Sequence, residues 1–343
     1  MHLLDVLIVG AGPAGLAAAI AARQAGLSHA VIEKGVLVNS IYRFPPHMVF
    51  FTTPELIEIG GLPLVSPFEK PTRAEALRYY RRVVDHYQLD IADGVEVLSV
   101  QPEAGHAAAP MFRVGMRTKY GETRTRLARF VVMAIGYYDH PNRLGIPGEE
   151  RPHVSHYYID PHPFYRKQVV VVGGGNSAAE AALDLHRAGA RVTLVHRHAA
   201  LKSTIKYWVK PDIENRIKEG AVAALFGASL AEIGEQTVVV ERRWSRRELP
   251  ADQVFLLTGY HPDFDLLRRA GVEVDASSGV ARYDSTTFET NIPGLFVAGG
   301  VVSGRNTAPI FIENGRFHGE AIVKVVADRL GRASHDGART GTQ

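Results

Sequence analysis

Three glycines near the start of the chain have a spacing that suits phosphate binding. Gly10, Gly12 and Gly15 follow the apolar run VLIV and precede an alanine-rich stretch. The first glycine permits a tight turn, the second lets the backbone approach a pyrophosphate, and the third lets a helix pack closely on a strand. That helix, expected to start near Ala14, directs its unpaired N–H groups and the positive end of its dipole at the phosphates.

A carboxylate follows at the distance that a bound ribose requires. Glu33 closes the second predicted strand, 21 positions after Gly12. A carboxylate there can accept hydrogen bonds from both ribose hydroxyls. A glycine turn alone is weak evidence, because any tight strand-to-helix connection can use glycine. The turn and Glu33 together predict a site for an adenine dinucleotide.

A second stretch repeats this pattern but ends in cations. VVVVGGGNSAAEAALDLHRAGARVTLVHR begins at Val169 and has Gly173, Gly175 and, in the third position, Ala178. Its second strand ends in basic residues where the first unit has an acid, and more follow: His196, Arg197, His198, Lys202 and Lys206. A ribose that carries a 2′-phosphate needs positive charge at this place. The second unit is therefore predicted to prefer NADPH to NADH.

Two different dinucleotide sites in one chain predict a pair of redox cofactors. The first site would hold FAD and the second NADPH, and hydride would pass from nicotinamide to flavin. This step needs alignment of two rings rather than a side-chain acid. No catalytic side chain is therefore assigned, and no metal site is predicted.

Composition removes several other classes of function. The 343 residues include no cysteine, which excludes disulfides, thiolate metal sites, iron–sulfur clusters and cysteine-based redox chemistry within the chain. Lys and Arg exceed Asp and Glu by only 39 to 36, too little to indicate nucleic-acid binding. The arginines at 242, 243, 246 and 247 are interpreted as a solvated face. No run approaches the ~20 apolar residues of a membrane span, and a strand close to Met1 leaves no room for a signal peptide, so we expect a cytoplasmic protein.

The alternation of short apolar runs with helical stretches predicts an α/β fold with parallel sheets. We expect two Rossmann-like, three-layer domains, the NADPH domain inserted into the FAD domain. A capped helix is predicted over Thr72–Gln88, a meander over Val95–Val100, Met111–Thr118 and Thr123–Leu127, and a last helix over about Ile310–Leu330. The other predicted strands are Val6–Val9, Ala30–Glu33, Phe130–Ala134, Val169–Val172, Arg191–Val195, Gln253–Leu257 and Leu295–Ala298.

The order of these segments resembles the thioredoxin-reductase-like flavoproteins. AIGYYDHP around Gly136, LLTGYHPD around Gly259 and TNIPGLFVAGG before Val301 lie between and after the two glycine turns as they do in that group. Three further stretches, EKGVLVNSIYRFPPHMVFF, EKPTRAEALRYYRRVVDHYQL and IFIENGRFHG, are similar to the bacillithiol disulfide reductase family. The resemblance covers most of the chain.

The resemblance implies a domain layout and a set of cofactor-binding residues. FAD would be bound by 1–139 and 262–330 and NADPH by 140–261, and the protein would be a homo-oligomer, a dimer or tetramer. The composition of 331–343, GRASHDGARTGTQ, separately predicts a flexible tail. The implied FAD residues are Gly10, Gly12, Pro13, Ala14, Gly15, Glu33, Lys34, Asn39, Ser40, His47, Gly136, Gly299, Gly300, Thr307 and Ile310. The implied NADPH residues are Gly173, Gly175, Asn176, Ser177, Ala178, His196, Arg197, Lys202, Lys206 and Gly259.

The chain departs from its relatives at two positions. Relatives with the broader fold often have an aspartate where this chain has Gly300, on the ribityl chain of the flavin. Members of the bacillithiol disulfide reductase family commonly have a cysteine where this chain has Ala14, and the C-x-x-C of thioredoxin reductases is absent. A disulfide substrate would have to be reduced without a protein thiol. His47, in a proline-flanked loop, is the one side chain considered as an acceptor-binding or proton-donating group.

The electron acceptor stays open between several classes. The family resemblance favours bacillithiol disulfide or a related small disulfide. A thiol-free reductase of a small redox protein, flavodoxin or ferredoxin, is the first alternative. A flavin monooxygenase is less favoured, because HVSHYY at His153–Tyr158 departs in spacing from the pattern of that class. A non-enzymatic NADPH sensor with structural FAD is the remaining alternative.

Overall fold

A computed structural model describes residues 3–103 and 110–332. The chain forms two compact units. The first comprises residues up to Arg43, His47–His140 and the chain from Tyr260, and the second comprises Phe44–Pro46 and Pro141–Gly259. Of the predicted tail 331–343, residues 333–343 lie outside the described part.

The strands and helices of the described residues are numbered in chain order. The strands are β1 Leu3–Val9, β2 His29–Ile32, β3 Ile91–Ala92, β4 Val95–Pro102, β5 Phe112–Thr118, β6 Thr123–Met133, β7 His140–Pro141, β8 Val154–Ser155, β9 Gln168–Val172, β10 Arg191–His196, β11 Ala223–Phe226, β12 Ser229–Ile233, β13 Thr237–Arg242, β14 Ser245–Pro250, β15 Gln253–Leu256, β16 Tyr260–His261 and β17 Leu295–Val297. The helices are α1 Pro13–Gln24, α2 Asn39–Tyr42, α3 Pro54–Ile57, α4 Arg73–Tyr87, α5 Asn176–Arg187, α6 Lys210–Lys218, α7 Phe264–Arg269, α8 Ile312–Gly315 and α9 His318–Arg329, with short 3-10 helices at His162–Phe164 and Gly299–Ser303.

The first unit is built on a seven-stranded sheet in the order β3-β2-β1-β6-β5-β4, and β17 also pairs with β6. β1 lies parallel between β2 and β6, and residues 5–9 of β1 are buried. β6 continues through the gap that separates two predicted strands, Thr123–Leu127 and Phe130–Ala134. That prediction is wrong because the intervening Ala128 is buried and pairs with both Leu4 and Phe112. One strand therefore serves the parallel sheet and the antiparallel meander.

Helix α4 starts where the sequence predicts it. The Thr72 side chain accepts a hydrogen bond from the Glu75 N–H, and the Glu75 carboxylate accepts one from the Thr72 N–H at 2.8 Å. This capping box satisfies two otherwise unpaired donors of the helix N-terminus. The local signal is sufficient here because all of its partners lie within four residues.

The last predicted helix, Ile310–Leu330, is broken into α8 and α9. Asn314 caps the short α8, because its Oδ1 accepts from the Phe311 N–H at 2.9 Å and its Nδ2 donates to the Pro309 carbonyl at 2.7 Å. At the break, the Arg316 guanidinium donates to the carbonyl oxygens of Glu55 at 2.7 Å and Glu58 at 2.5 Å. The prediction of a single helix is wrong, because a turn at Arg316 and Phe317 separates α8 from α9.

The second unit has a parallel five-stranded sheet in the order β11-β10-β9-β15-β8, and α5 packs on it. A separate antiparallel sheet, β12-β13-β14, follows and was not predicted. The arginines at 242, 243, 246 and 247 lie on its exposed β13–β14 hairpin, where Arg246 pairs with Glu241 at 3.0 Å. Within the described ranges, no helix has the length and apolar character needed to cross a membrane.

Candidate cofactor sites

The first glycine turn has the geometry that its sequence predicts. Gly10 has a φ of 106°, and a Cβ there would lie 2.4 Å from the Ala134 carbonyl oxygen. A Cβ on Gly15 would lie 1.9 Å from the Gly10 carbonyl oxygen, so only glycine allows the helix to pack this closely on the turn. A Cβ on Gly12 would meet nothing within 4 Å. Two glycines are therefore required by the protein itself, and the middle one leaves space for a ligand.

The start of α1 presents donors to that space. Gly12 is the N-cap, no side chain caps it, and Pro13 occupies the first helical position. The N–H groups of the first turn and the positive end of the helix dipole thus point where the backbone is most accessible. This arrangement fits a pyrophosphate, which needs close backbone approach and several donors.

Glu33 is a buried carboxylate beside the turn. Its Oε2 accepts a hydrogen bond from the Ala11 N–H at 2.8 Å, and its Oε1 accepts one from the Gly35 N–H at 2.7 Å. Burial raises the pKa of Glu33, although both backbone hydrogen bonds oppose that shift. Each carboxylate oxygen keeps a further lone pair for a ribose hydroxyl. Asn39 packs on Gly35, since its Oδ1 lies 2.6 Å from where a Gly35 Cβ would be.

Asp139 of the first unit forms ion pairs with two basic residues. Asp139 pairs with Lys34 at 3.1 Å and with Arg43 at 2.9 Å. Lys34, which the sequence analysis places at the cofactor, is therefore held by Asp139. Asp139 carried no sequence signal that would have connected it with Lys34.

A third turn meets the first one at Ala14. Gly299 has a φ of 73°, and a Cβ added there would lie 2.6 Å from the Ala14 Cβ. The Gly299 N–H donates to Nδ1 of His318 at 3.1 Å. His318 is 7% exposed, its ring stacks on Phe288 at a centroid distance of 4.1 Å, and burial lowers its pKa to about 4. A neutral imidazole thus fixes the turn opposite Ala14.

The remaining residues predicted for FAD lie in several different segments of the first unit. Gly136 has a φ of 61° with open space at its Cβ position, and Gly300 packs under the Tyr137 ring. Ile310 adjoins Gly315, which in turn adjoins Gly299. Thr307 and Ile310 precede α8 instead of lying in a helix, and Ser40 lies in α2. His47 is exposed in a turn.

The second glycine turn repeats the first within the second unit. Gly173 has a φ of 153°, and a Cβ there would lie 2.5 Å from the Leu257 carbonyl oxygen. Gly175 is the N-cap of α5 and lacks a side-chain cap. Ala178 takes the third position and is buried, while Ser177 is exposed.

Positive charge lies beside this turn. His196 is buried with its ring against Gly174, and burial, with the neighbouring His198, Lys202 and Arg197, lowers its pKa. Arg197 and Lys202 are exposed, and the Lys202 N–H donates to the Gly174 carbonyl at 2.9 Å. The backbone thus ties Lys202 to the turn, and the charges fit a 2′-phosphate.

Two other residues predicted for NADPH support the turn. Asn176 Oδ1 accepts from the Lys206 N–H at 2.9 Å, which joins the start of α5 to the following loop. The Lys206 ammonium lies 2.6 Å from Glu180 and is 14% exposed. Lys206 therefore has a carboxylate partner within the second unit. Gly259 has a φ of 93° and lies near the Asn142 amide.

The comparison with known proteins agrees with two dinucleotide sites in one chain. Residues 7–299 match the family model described as pyridine nucleotide-disulphide oxidoreductase. The chain belongs to this family. It is an oxidoreductase, and membership implies the use of a flavin and NAD(P)H. The predicted fold, two Rossmann-like α/β units, is confirmed.

Relatives narrow the assignment within the family. The chain is 41% identical over 328 residues to a bacilliredoxin reductase of Bacillus subtilis, covering 94% of this chain and 97% of the relative. A solved bacillithiol disulfide reductase of Bacillus cereus superposes with a TM-score of 0.92 at 40% identity, covering 96% and 100% of the two chains. A ferredoxin–NADP reductase of Ignicoccus hospitalis is 27% identical over 303 residues, 87% and 90% of the two chains. The predicted membership in the bacillithiol disulfide reductase family is confirmed.

Proposed function

We propose that the first unit binds FAD and the second binds NADPH, as the domain prediction states. The observation that carries this proposal is the difference at the strand that follows each glycine turn. Glu33 ends one strand with a carboxylate suited to ribose hydroxyls, and His196 and Arg197 end the other with cations suited to a 2′-phosphate. With both bound, the cofactors supply hydride transfer from nicotinamide to flavin and electron transfer to an acceptor.

The chain's own residues would bind and orient these molecules. The start of α1 and Gly12 would hold the FAD pyrophosphate, and Glu33 would accept from the adenosine ribose. Arg197 and Lys202 would hold the 2′-phosphate of NADPH at the second turn. The Gly299 turn, supported by His318, would lie along the flavin beside Ala14.

We infer that the acceptor is a small disulfide of the bacillithiol type. The support is the similarity to a bacilliredoxin reductase and to a bacillithiol disulfide reductase. In the balanced reaction, NADPH and one proton convert one disulfide into two thiols and NADP⁺. Because the chain has no cysteine, no mixed disulfide with the protein can form, and both electrons must pass directly to the substrate.

An anaerobic oxidation experiment tests this function. The purified holoenzyme is reduced with one equivalent of NADPH and mixed with bacillithiol disulfide, flavodoxin, quinone or oxygen, and the flavin absorbance is followed in a stopped-flow instrument. We expect a yellow protein whose reduced flavin is reoxidised fastest by the disulfide. A colourless protein, or one reduced faster by NADH, would contradict the cofactor assignment.

A reductase of ferredoxin or flavodoxin is the second candidate. The absence of cysteine favours it, because one-electron transfer to a protein needs an accessible flavin edge and no thiol. The similarity to a ferredoxin–NADP reductase agrees with it. If, in the same experiment, flavodoxin reoxidises the reduced flavin and the disulfide does not, the acceptor is an electron-transfer protein and not a disulfide. The homo-oligomer and the cytoplasmic location stay predictions.

A further inference from the structure

A cavity in the first unit shares Ile310 with the predicted FAD residues, and its other lining residues have no part in the cofactor sites described above. Its volume is about 700 Å³, and its walls include Val280, Tyr283, Val302, Arg305, Asn306 and Ile310. Sites for small organic molecules have volumes of roughly 300–1,000 Å³ and combine apolar walls with a few polar groups. The cavity has both properties.

Two glycines bring the cavity walls together. Gly304 has a φ of 59°, and a Cβ there would lie 2.5 Å from the Ser278 carbonyl oxygen. Gly279 has a φ of 68°, and a Cβ there would lie 2.5 Å from the Phe264 ring. The Arg305 N–H donates to the Ser278 carbonyl at 2.8 Å. The segments around 279 and 305 therefore approach as closely as their backbones allow, and the position of Arg305 is fixed by the fold.

Arg305 is the charged group of the cavity. Its guanidinium carbon lies 5.0 Å from the centroid of the Phe264 ring, which restrains the side chain. Arg268 stacks on the same ring at 5.7 Å and pairs with Asp265 at 3.5 Å, whereas Arg305 has no carboxylate within 4.0 Å among the described residues.

Asp275, three residues before the lining residue Ser278, is engaged elsewhere. Asp275 Oδ1 accepts hydrogen bonds from the N–H and O–H groups of Ser277 and Ser278. The other polar side chains of the cavity, Tyr283 and Asn306, can each donate through a hydroxyl or an amide. Its polar groups thus favour an anion.

One wall of the cavity is the segment that the family resemblance places at the flavin. Ile310 lines the cavity, and its Cγ2 lies 3.4 Å from the Cβ position of Gly315, which is 3.3 Å from the Gly299 Cα. Ser303 also lines it and donates to the Gly300 carbonyl at 2.8 Å. The cavity and the Gly299 turn therefore lie on adjoining parts of one short stretch of chain.

We propose that this cavity binds the electron acceptor, and that the acceptor is a small organic molecule with a carboxylate that pairs with Arg305. This inference rests on the proposed function, under which the acceptor is a disulfide. The carboxylate would pair with the guanidinium, and the aliphatic part would pack on Val280, Val302 and Ile310. The cavity volume and the apolar walls favour an organic anion over a free phosphate.

Binding is tested without turnover by calorimetric titration of the oxidised holoenzyme in the absence of NADPH. The probes are dithiodipropionate, which has two carboxylates, hydroxyethyl disulfide, which has none, and inorganic phosphate. Arg305→Gln should weaken dithiodipropionate binding by about tenfold or more and leave hydroxyethyl disulfide unchanged. Arg282→Gln is the matched control, because Arg282 is exposed nearby and pairs with Glu273 at 2.8 Å.

Each outcome of the titration decides the proposal. Failure of wild type to bind dithiodipropionate, equal binding by wild type and Arg305→Gln, or an equal loss in Arg282→Gln would overturn it. If phosphate binds as tightly as dithiodipropionate, the proposal that the ligand is an organic carboxylate is wrong.

A second assay separates this inference from the function on which it rests. NADPH-dependent reduction of a neutral quinone should be equal in wild type and Arg282→Gln, because Arg282 lies outside the cofactor and acceptor sites. A wild-type enzyme that reduces quinone but no disulfide contradicts the proposed function, even if dithiodipropionate binds through Arg305. Disulfide reduction with the same KM in wild type and Arg305→Gln contradicts the cavity assignment alone.

Discussion

The two glycine turns have nearly the same backbone and different chemistry. The Gly10 N–H donates to the Ile32 carbonyl at 2.7 Å, and the Gly173 N–H donates to the Val195 carbonyl at 3.0 Å. A Cβ on either glycine would also meet the carbonyl oxygen that follows the neighbouring strand on the other side, that of Ala134 after β6 at 2.4 Å or of Leu257 after β15 at 2.5 Å. The turn is therefore set by the first glycine and the strand beside it, whatever the ligand.

The side chains that differ are those that a ligand would meet. Glu33 bonds to the Ala11 N–H, whereas His196, at the equivalent position, places its ring against Gly174. The neighbours differ as well, since Lys34 pairs with Asp139 and Arg197 is exposed beside His198. Under the proposed function, one turn serves either cofactor and the end of the following strand selects between them.

The largest effect is expected at the third position, where the units have Gly15 and Ala178. Gly15→Ala would place a Cβ 1.9 Å from the Gly10 carbonyl oxygen, and backbone atoms can avoid this contact only if the turn moves. We expect a loss of about 3 kcal/mol or more in the free energy of unfolding and protein purified without FAD. Urea unfolding and the flavin-to-protein absorbance ratio measure these changes.

Ala178→Gly is the matched control in the second unit. It should cost about 1 kcal/mol through helix propensity and lost burial, and FAD should still bind. Full FAD content in Gly15→Ala would show that the first turn does not need its close helix packing.

These turns were predictable because the glycine spacing that marks them lies within one strand, turn and helix, although the carbonyl oxygens of Ala134 and Leu257 that Gly10 and Gly173 face are distant in sequence. The helix Arg73–Tyr87 was predictable for the same reason, through Thr72 and Glu75. The break after Gly315 was not, since it coincides with contacts of Arg316 to carbonyl groups more than 250 residues earlier in the chain, which no local pattern reveals.

The candidate cofactor site of the first unit could be predicted only in part from the sequence. The glycines and Glu33 follow a fixed spacing, but the bond from Gly299 to His318 joins two elements with no pattern between them. The sheet of β12, β13 and β14 was missed, because its hairpin from Arg242 to Glu248 is exposed on both faces and lacks apolar alternation. Tertiary contacts decide these features.

The second effect concerns the imidazole that supports the first unit's turns. The pKa of His318 is lowered to about 4 by burial, so the unfolded chain takes up this proton at higher pH than the folded one. The contribution of neutral His318 to the free energy of unfolding is therefore fully present above about pH 6.5 and is lost as the pH falls toward 4. His318→Asn keeps an acceptor for the Gly299 N–H but does not titrate between about pH 6.5 and 4. Between these pH values, the free energy of unfolding of the wild type should therefore fall by up to about 3 kcal/mol more than that of the variant. Equal pH profiles of wild type and variant would contradict the buried neutral state.

The third effect tests the charge difference at the strand ends. Arg197→Gln removes a partner of the 2′-phosphate, and the KM for NADPH should rise about tenfold to thirtyfold with little change for NADH. Lys34→Gln is the control at the equivalent position, where the lysine faces Asp139, and it should leave both KM values nearly unchanged. Steady-state assays with a quinone acceptor give the constants, and equal changes for both nucleotides in Arg197→Gln would remove its phosphate role.

The smallest effect tests whether the first turn is where a thiol would act. Ala14→Cys and Ser177→Cys place a thiol at the second position of α1 and of α5, so the helix dipole should lower both thiol pKa values by about one unit. The pH dependence of alkylation by iodoacetamide measures them. Ala14 adjoins Gly299, whereas Ser177 is exposed in the second unit, so only Ala14→Cys should change the rate of disulfide reduction. A faster rate would indicate that a thiol beside the flavin improves on direct transfer. An equal change in both variants would show that reactivity depends on the helix terminus alone, and the distinction between the two turns would then have no catalytic meaning.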